Sequence, residues 1–346
     1  MKVKDLTLCE KVGQKFIFGV NSHNINIIIK LIKDYHIGGV ILYKKNYRNY
    51  EEMVSVIKRL KEANKDNKVP LFISIDQEGG RVNRMPSEIK NIKNLYDISK
   101  ISSDLVYDSA SITGKMLSDV GINMNFSPVV DIYDGKNKAL YKRCFYSDIA
   151  LNGIKYIDGL RENNVISVIK HYPGHGSSSM DSHFVTPYVF NYKGILDEHM
   201  VPFNEIIKNG VDAIMLGHLT IRKLTHGMPA SISARFIKEY LREKNKFKGL
   251  VITDEINMLS RNILYKFVYL KKAFLSSDIV LVKLSNNGIS MIKKCLKYAS
   301  KNMEMLDESV ERIINIKMKY NINDMDFKGI DIDKLNDKII SLNNKI

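Results

Sequence analysis

Val165-Ile166-Ser167-Val168-Ile169 is a β-branched run that reads as a buried strand, and it passes directly into Lys170-His171-Tyr172-Pro173-Gly174-His175-Gly176 and on through Ser177 to Asp181-Ser182-His183. The first part has strand composition; the second, rich in Pro, Gly, Ser and His, ends the strand at once. A strand that ends in a polar, glycine-rich loop is where α/β enzymes place their chemistry. From about Pro173 to Pro187 no helical or strand period is visible, and structureless stretches of that length are usually functional or disordered. A Lys-His pair opens the loop and an Asp-x-His pair closes it.

Working outward, apolar runs alternate with amphipathic stretches along the whole chain. Strands are predicted at Phe16 to Val20, Val40 to Tyr43, Leu71 to Ile75, Met124 to Val130, Val165 to Ile169, Ala213 to Leu216, Leu250 to Thr253 and Ile279 to Val282. Helices are predicted between them, for example over Asn24 to Tyr35, where Ile25, Ile28, Ile29 and Ile32 share one face. Others are expected at Ile195 to Lys208, at Ser233 to Glu243 behind a Ser cap, and at Leu259 to Leu275. Eight strand-helix units predict an α/β fold, a single-domain (β/α)8 TIM-like barrel. A doubly wound sheet stays open as an alternative, because periodicity does not distinguish closure from openness. The barrel is expected over residues 1–325. Residues 326–346, the end of an Asp/Asn/Lys-rich stretch, are expected as a loosely packed polar tail.

The totals bound the function. The 346 residues are 45% hydrophobic and 26% charged, ample for a large core, with a formal net charge of +15. The lysines are spread along the chain without an arginine-rich block or a basic-aromatic cluster, so no nucleic-acid partner is expected. No apolar stretch is long enough to span a bilayer, and no secretory h-region is visible near Met1, so no membrane partner is expected either. Cys9, Cys144 and Cys295 are odd in number and far apart, with no CxxC. A reducing compartment and a cytoplasmic location are the expectation. Oligomeric state is not legible.

One regularity moves the reading from fold to function. Polar groups stand at the end of strand after strand: Asp76, Asp131, Lys170 with His171, His218 and Asp254. In a barrel those ends converge on one face. Three chemistries compete for such a set. Metal-dependent hydrolysis finds ligand types in His171, His175, His183 and Asp254, but no helical i, i+4 pair. Phosphate binding at Gly79-Gly80 or Gly174 to Gly176 matches neither GxxxxGK[ST] nor GxGxxG. Glycoside hydrolysis needs a carboxylate beneath the anomeric carbon and a proton donor at the leaving group. Asp254, on rigid backbone, suits the first role, and Asp181 with His183 suits the second, the Asp orienting the imidazole. Lys170, His171, Arg143 and Asp76 would then bind sugar hydroxyls. His175 reads as bracing the loop, His218 as a core or bracing residue, and Glu255 as facing helix or solvent.

The segment KHYPGHGSSSMDSH resembles the loop signature of glycoside hydrolase family 3, in the branch of bacterial β-N-acetylglucosaminidases of cell-wall recycling, single-domain form. Further matching stretches keep the family order: GGVILYKKN at 38–46, ISIDQEGGRVNR at 73–84, NFSPVVD at 125–131, RCFYSD at 143–148, IMLGH at 214–218 and GLVITDEINM at 249–258. The resemblance spans about residues 5–320. It implies a retaining β-N-acetylhexosaminidase acting on a small carbohydrate substrate, a GlcNAc-containing glycoside or muropeptide, with no metal or organic cofactor. The family nucleophile falls on Asp254 and the acid/base pair on Asp181 and His183. The sugar-binding residues fall on Asp76, Arg84, Arg143, Lys170 and His171, and Arg81 is expected to brace its own loop. β-N-Acetylglucosaminide phosphorylase and β-glucosidase activities stay open on the same scaffold, as does a catalytically inactive sugar-binding protein. Ser177-Ser178 stand where many relatives have Asp-Thr, and Tyr141-Lys142 where a Gly often precedes the arginine.

Overall fold

The computed structural model describes residues 2–20, 25–135, 137–178, 187–259, 263–283, 285–324 and 327–346. Its ten strands are β1 (Phe16–Gly19), β2 (Gly39–Leu42), β3 (Phe72–Ile75), β4 (Met124–Asn125), β5 (Ile166–Tyr172), β6 (Tyr188–Val189), β7 (Ala213–Leu216), β8 (Thr220–Ile221), β9 (Leu250–Thr253) and β10 (Val280–Val282). Eight of them form one parallel sheet in the order β10-β1-β2-β3-β4-β5-β7-β9. The two edge strands meet through an Ile252–Ile279 bridge and a Thr253 N–H bond to the Ile279 carbonyl at 3.0 Å. The sheet is therefore a closed barrel, which removes the doubly wound alternative. The remaining strands, β6 and β8, pair in parallel as a small separate ribbon.

Alternation along the strands sorts the core into two layers. Ile17, Ile41, Phe72, Met124, Ile166, Val168, Met215, Leu250, Ile252 and Leu281 fill the barrel interior, joined by Ile313 and Ile316 from the helix Met303–Lys319 and by its C-cap Tyr320. Their strand neighbours, such as Phe16, Phe18, Val40, Leu42, Ile73 and Ile75, face outward against the helices. The interior is thus a packed core. Above it the C-terminal ends of the strands form a concave polar face.

Several elements depart from expectation. The fourth strand is two residues long, because Ser127 and Pro128 interrupt it, although a Val129–Lys170 bridge continues the pairing beyond them. Ile195–His199 and Ile237–Lys244 are π-helical segments rather than parts of regular α-helices. Ser233 does cap its helix, accepting from the Phe236 N–H. The expected loose tail is corrected: Ile332–Asn343 is an α-helix capped by Asp331, with Leu335, Ile339 and Leu342 buried. Its i, i+4, i+7 apolar spacing supplies one buried stripe despite the polar composition. No described helix is long and apolar enough to cross a membrane.

Candidate active site

A cavity of about 550 Å³ opens at the C-terminal end of the barrel. Asp76, Arg84, Arg143, Lys170, His171 and Asp254 all line it, so six site residues expected from sequence converge although they span 179 positions from 76 to 254. Asp181 and His183 lie outside the described residues. The described residues that flank positions 179–186 are anchored. Asn137 donates to the Ser178 carbonyl at 2.9 Å before them, and the Thr220 N–H donates to the Pro187 carbonyl at 2.9 Å after them. The loop base is tight: a Cβ on Gly176 would stand 1.7 Å from the Ile132 carbonyl oxygen, and Gly174 holds φ +125°.

Lys170 and Glu78 form the hub of the site. The Lys170 ammonium, 2% exposed, donates to Asp76 Oδ1 at 2.8 Å and pairs with Glu78 Oε1 at 2.7 Å. Arg143 grips Glu78 in two-pronged fashion, Nε to Oε2 and Nη2 to Oε1, both at 2.7 Å. Burial opposes ionisation of Glu78, but the Lys170 and Arg143 cations outweigh it and hold its carboxyl far below the usual range. Burial likewise pushes Lys170 down, and Asp76 and Glu78 reverse that, so it stays a cation. Glu78 was not singled out from sequence. It sits inside the DQEGGRV stretch, two residues after Asp76, but its partners are 65 and 92 positions away.

Asp131, wholly buried, organises the two histidines. Its Oδ2 accepts from His171 N at 3.1 Å and His171 Nδ1 at 2.8 Å, and its Oδ1 accepts from His175 N at 2.6 Å. A carboxylate at Nδ1 requires that nitrogen to carry the proton, which leaves His171 Nε2 as the free ring position. Burial would raise the Asp131 pKa, and the bond and charge of His171 more than offset it. Asn137 donates toward His175 Nδ1 at 3.1 Å, and burial keeps that imidazole neutral by lowering its pKa. His175 thus braces the loop while also lining the cavity. Asp131 stands among the strand-end polar residues marked in the sequence, but its role toward His171 and His175 emerges only in the fold.

Asp254 is held by the end of β9. Its N–H bonds the Leu216 carbonyl at 2.9 Å, and its Oδ1 accepts the Glu255 N–H at 2.7 Å. His218 Nε2 lies 2.9 Å from the Glu255 carbonyl and Nδ1 2.6 Å from Ser231 Oγ. A carbonyl only accepts, so Nε2 carries a proton, while the Ser231 hydroxyl can serve Nδ1 in either role; His218 thereby braces the turn that presents Asp254. Burial works against ionisation of Asp254. The fields of His218 and His171 and the Glu255 N–H win, leaving its carboxyl below the ordinary value. Glu255 is a correction to expectation: it lines the cavity, with Oε1 accepting from Asn257 N and Lys283 N, both at 3.1 Å. Arg81 reaches the carbonyls of Lys138 and Ala139, pinning a neighbouring loop rather than its own. Among the described residues no group of three or more His, Cys, Asp or Glu is arranged to hold a metal ion. A half-buried, ionised carboxylate facing a polar cavity, with fixed donors and acceptors around it, can attack an electrophilic carbon of a polyhydroxylated ligand.

Residues 7–316 match the family model for the glycosyl hydrolase family 3 N terminal domain. The chain is 30% identical over 283 residues to a beta-hexosaminidase of Haemophilus influenzae (strain PittEE), covering 78% of this chain and 79% of that one. It is 28% identical over 326 residues to beta-hexosaminidase A of Pseudoalteromonas piscicida, where it spans 54% of the relative's length. A solved family 3 beta-N-acetylglucosaminidase from Paenibacillus sp. str. FPU-7 superposes with a TM-score of 0.87 at 28% identity, covering 98% of this chain and 69% of that one.

Proposed function

The chain belongs to glycosyl hydrolase family 3, and on that premise we propose that it is a retaining β-N-acetylhexosaminidase. It would release terminal β-linked N-acetylglucosamine from peptidoglycan-derived fragments. The observation that carries the reading is Asp254, ionised at the end of β9 and facing the cavity that Asp76, Arg84, Arg143, Lys170 and His171 also line. The names of the relatives, beta-hexosaminidase and beta-N-acetylglucosaminidase, support the choice of sugar.

In this mechanism Asp254 attacks the anomeric carbon while His183, oriented by Asp181, protonates the departing oxygen. The C–O bond to the aglycone breaks and a glycosyl-Asp254 ester forms. His183, now neutral, takes a proton from water as that water attacks the anomeric carbon and frees the carboxylate. Lys170, Arg84 and Arg143 donate to sugar oxygens, Asp76 accepts, and His171 offers its Nε2. Because Glu78 neutralises Arg143 and shares Lys170 with Asp76, these donors are held in one geometry before substrate arrives.

The test is release of 4-nitrophenol from its β-N-acetylglucosaminide by the wild type and by Asp254→Asn, with and without phosphate. Turnover by the wild type alone supports the reading. A sugar 1-phosphate formed only with phosphate would make the protein a phosphorylase, since a neutral imidazole base does not repel an anionic acceptor. Preference for the β-glucoside, or no turnover of either glycoside, would overturn it.

A further inference from the structure

The charges lining the cavity do not balance locally. Glu78 is taken by Arg143 and Lys170, and Asp76 by Lys170. Asp254 accepts a backbone N–H, and Glu255 Oε1 is engaged by Asn257 and by the backbone of Lys283. Three lining cations, Arg81, Arg84 and Lys283, have no carboxylate partner among the described residues. Arg81 is directed at two carbonyls. Arg84 Nε is buried without an acceptor. Lys283 is exposed, and its ammonium stands 5.9 Å from the centroid of the Tyr43 ring, itself a lining residue.

The position of Lys283 is fixed from below. It follows β10 directly, next to β9, and its N–H bonds Glu255 Oε1 at 3.1 Å, which ties it to the residue after Asp254. A neutral N-acetylhexosamine offers such a cation only uncharged acceptors, hydroxyls and an amide carbonyl, which water replaces at little cost. A carboxylate or phosphate ester offers a charge-assisted bond. We infer that Lys283 is a specificity-determining residue that selects ligands carrying an anionic substituent, a carboxylate or a phosphate ester, with Arg84 as the second cation. This rests on the glycosidase reading only for its sugar frame.

Binding rather than turnover tests it, so failure of the hydrolase reading and failure of this one are separate results. Calorimetry in phosphate-free buffer would compare N-acetylglucosamine, its 6-phosphate and its 3-O-lactyl ether, on the wild type, Lys283→Met and Lys283→Arg. At least one anionic ligand binds the wild type about tenfold tighter than the neutral sugar, as one charge-assisted bond implies. The advantage shrinks with salt, falls toward unity in Lys283→Met and returns in Lys283→Arg. Which ligand gains tells whether the anion is a phosphate ester or a carboxylate. Equal affinities, no binding by any of the three, or an advantage kept in Lys283→Met would overturn the inference.

Discussion

Asp131 Oδ2 lies 2.8 Å from His171 Nδ1, while the other oxygen of the same carboxylate accepts the His175 N–H. One buried carboxylate, six residues beyond β4, therefore sets the tautomer of a cavity-lining histidine and the path of the loop after it. Asp131→Asn removes this arrangement, because an amide oxygen replaces only one of the two acceptors and the NH2 opposes a donor. The expected result is a fall in kcat/KM of about 10- to 100-fold, with far-UV circular dichroism unchanged. An unaltered kcat/KM would show that His171 does not depend on this partner.

Glu78, with its side chain 3% exposed between two cations, gives a pH-dependent contribution to stability. Its folded pKa is depressed below the ordinary value of 4.5. Between those values the unfolded chain holds more protons than the folded one. The contribution is therefore complete above the ordinary value and is lost as pH falls through the folded value. Glu78→Gln leaves Arg143 without its carboxylate and Lys170 with Asp76 alone, and is expected to cost about 3 kcal/mol at neutral pH. Urea titrations at several pH values should show that cost shrinking on the acid side.

The opposite end of the barrel carries stability rather than chemistry. Lys317 Nζ donates to Gln14 Oε1 at 2.8 Å, the Gly38 carbonyl at 2.9 Å and the Pro70 carbonyl at 2.6 Å. Burial pulls its pKa down to about 7, yet three acceptors call for the three N–H groups that only the ammonium has. Lys317→Met strands those acceptors and is expected to lose about 2–3 kcal/mol in urea unfolding. Turnover by the folded fraction should be preserved, since none of these groups lines the cavity.

The C-terminal helix Ile332–Asn343 is part of the fold. Ile339 is fully buried on it and belongs to the outer core layer. Ile339→Ala should destabilise by about 2–4 kcal/mol, read from the denaturant midpoint. A change below about 0.5 kcal/mol, the usual effect of a surface substitution, would return this segment to the loose tail its composition indicated.

The barrel was legible because β-branched runs such as Val165 to Ile169 alternate with amphipathic stretches such as Asn24 to Tyr35. Closure was not, since the Ile252–Ile279 bridge joins strands whose period says nothing about neighbours. The site was legible where chemistry stands at strand ends, as with Asp76, Lys170, His171 and Asp254. It was not legible where a residue acts through side chains far along the chain. Glu78 meets Arg143 and Lys170 only in the folded barrel, and Asp131 looks like any capping aspartate until His171 and His175 fold onto it. Lys283 carries no motif, and the cavity reveals that it has no carboxylate partner among the described residues.

On the proposed mechanism Asp254 forms a covalent bond to the sugar. Treatment with a fluorinated N-acetylglucosaminyl fluoride, which slows hydrolysis of such an ester, followed by intact-mass and peptide mass spectrometry, tests it most directly. The expected result is one added glycosyl group on the peptide containing Asp254, and none on Asp254→Asn. Label on Glu255, or turnover by the wild type with no label trapped on Asp254, would contradict it.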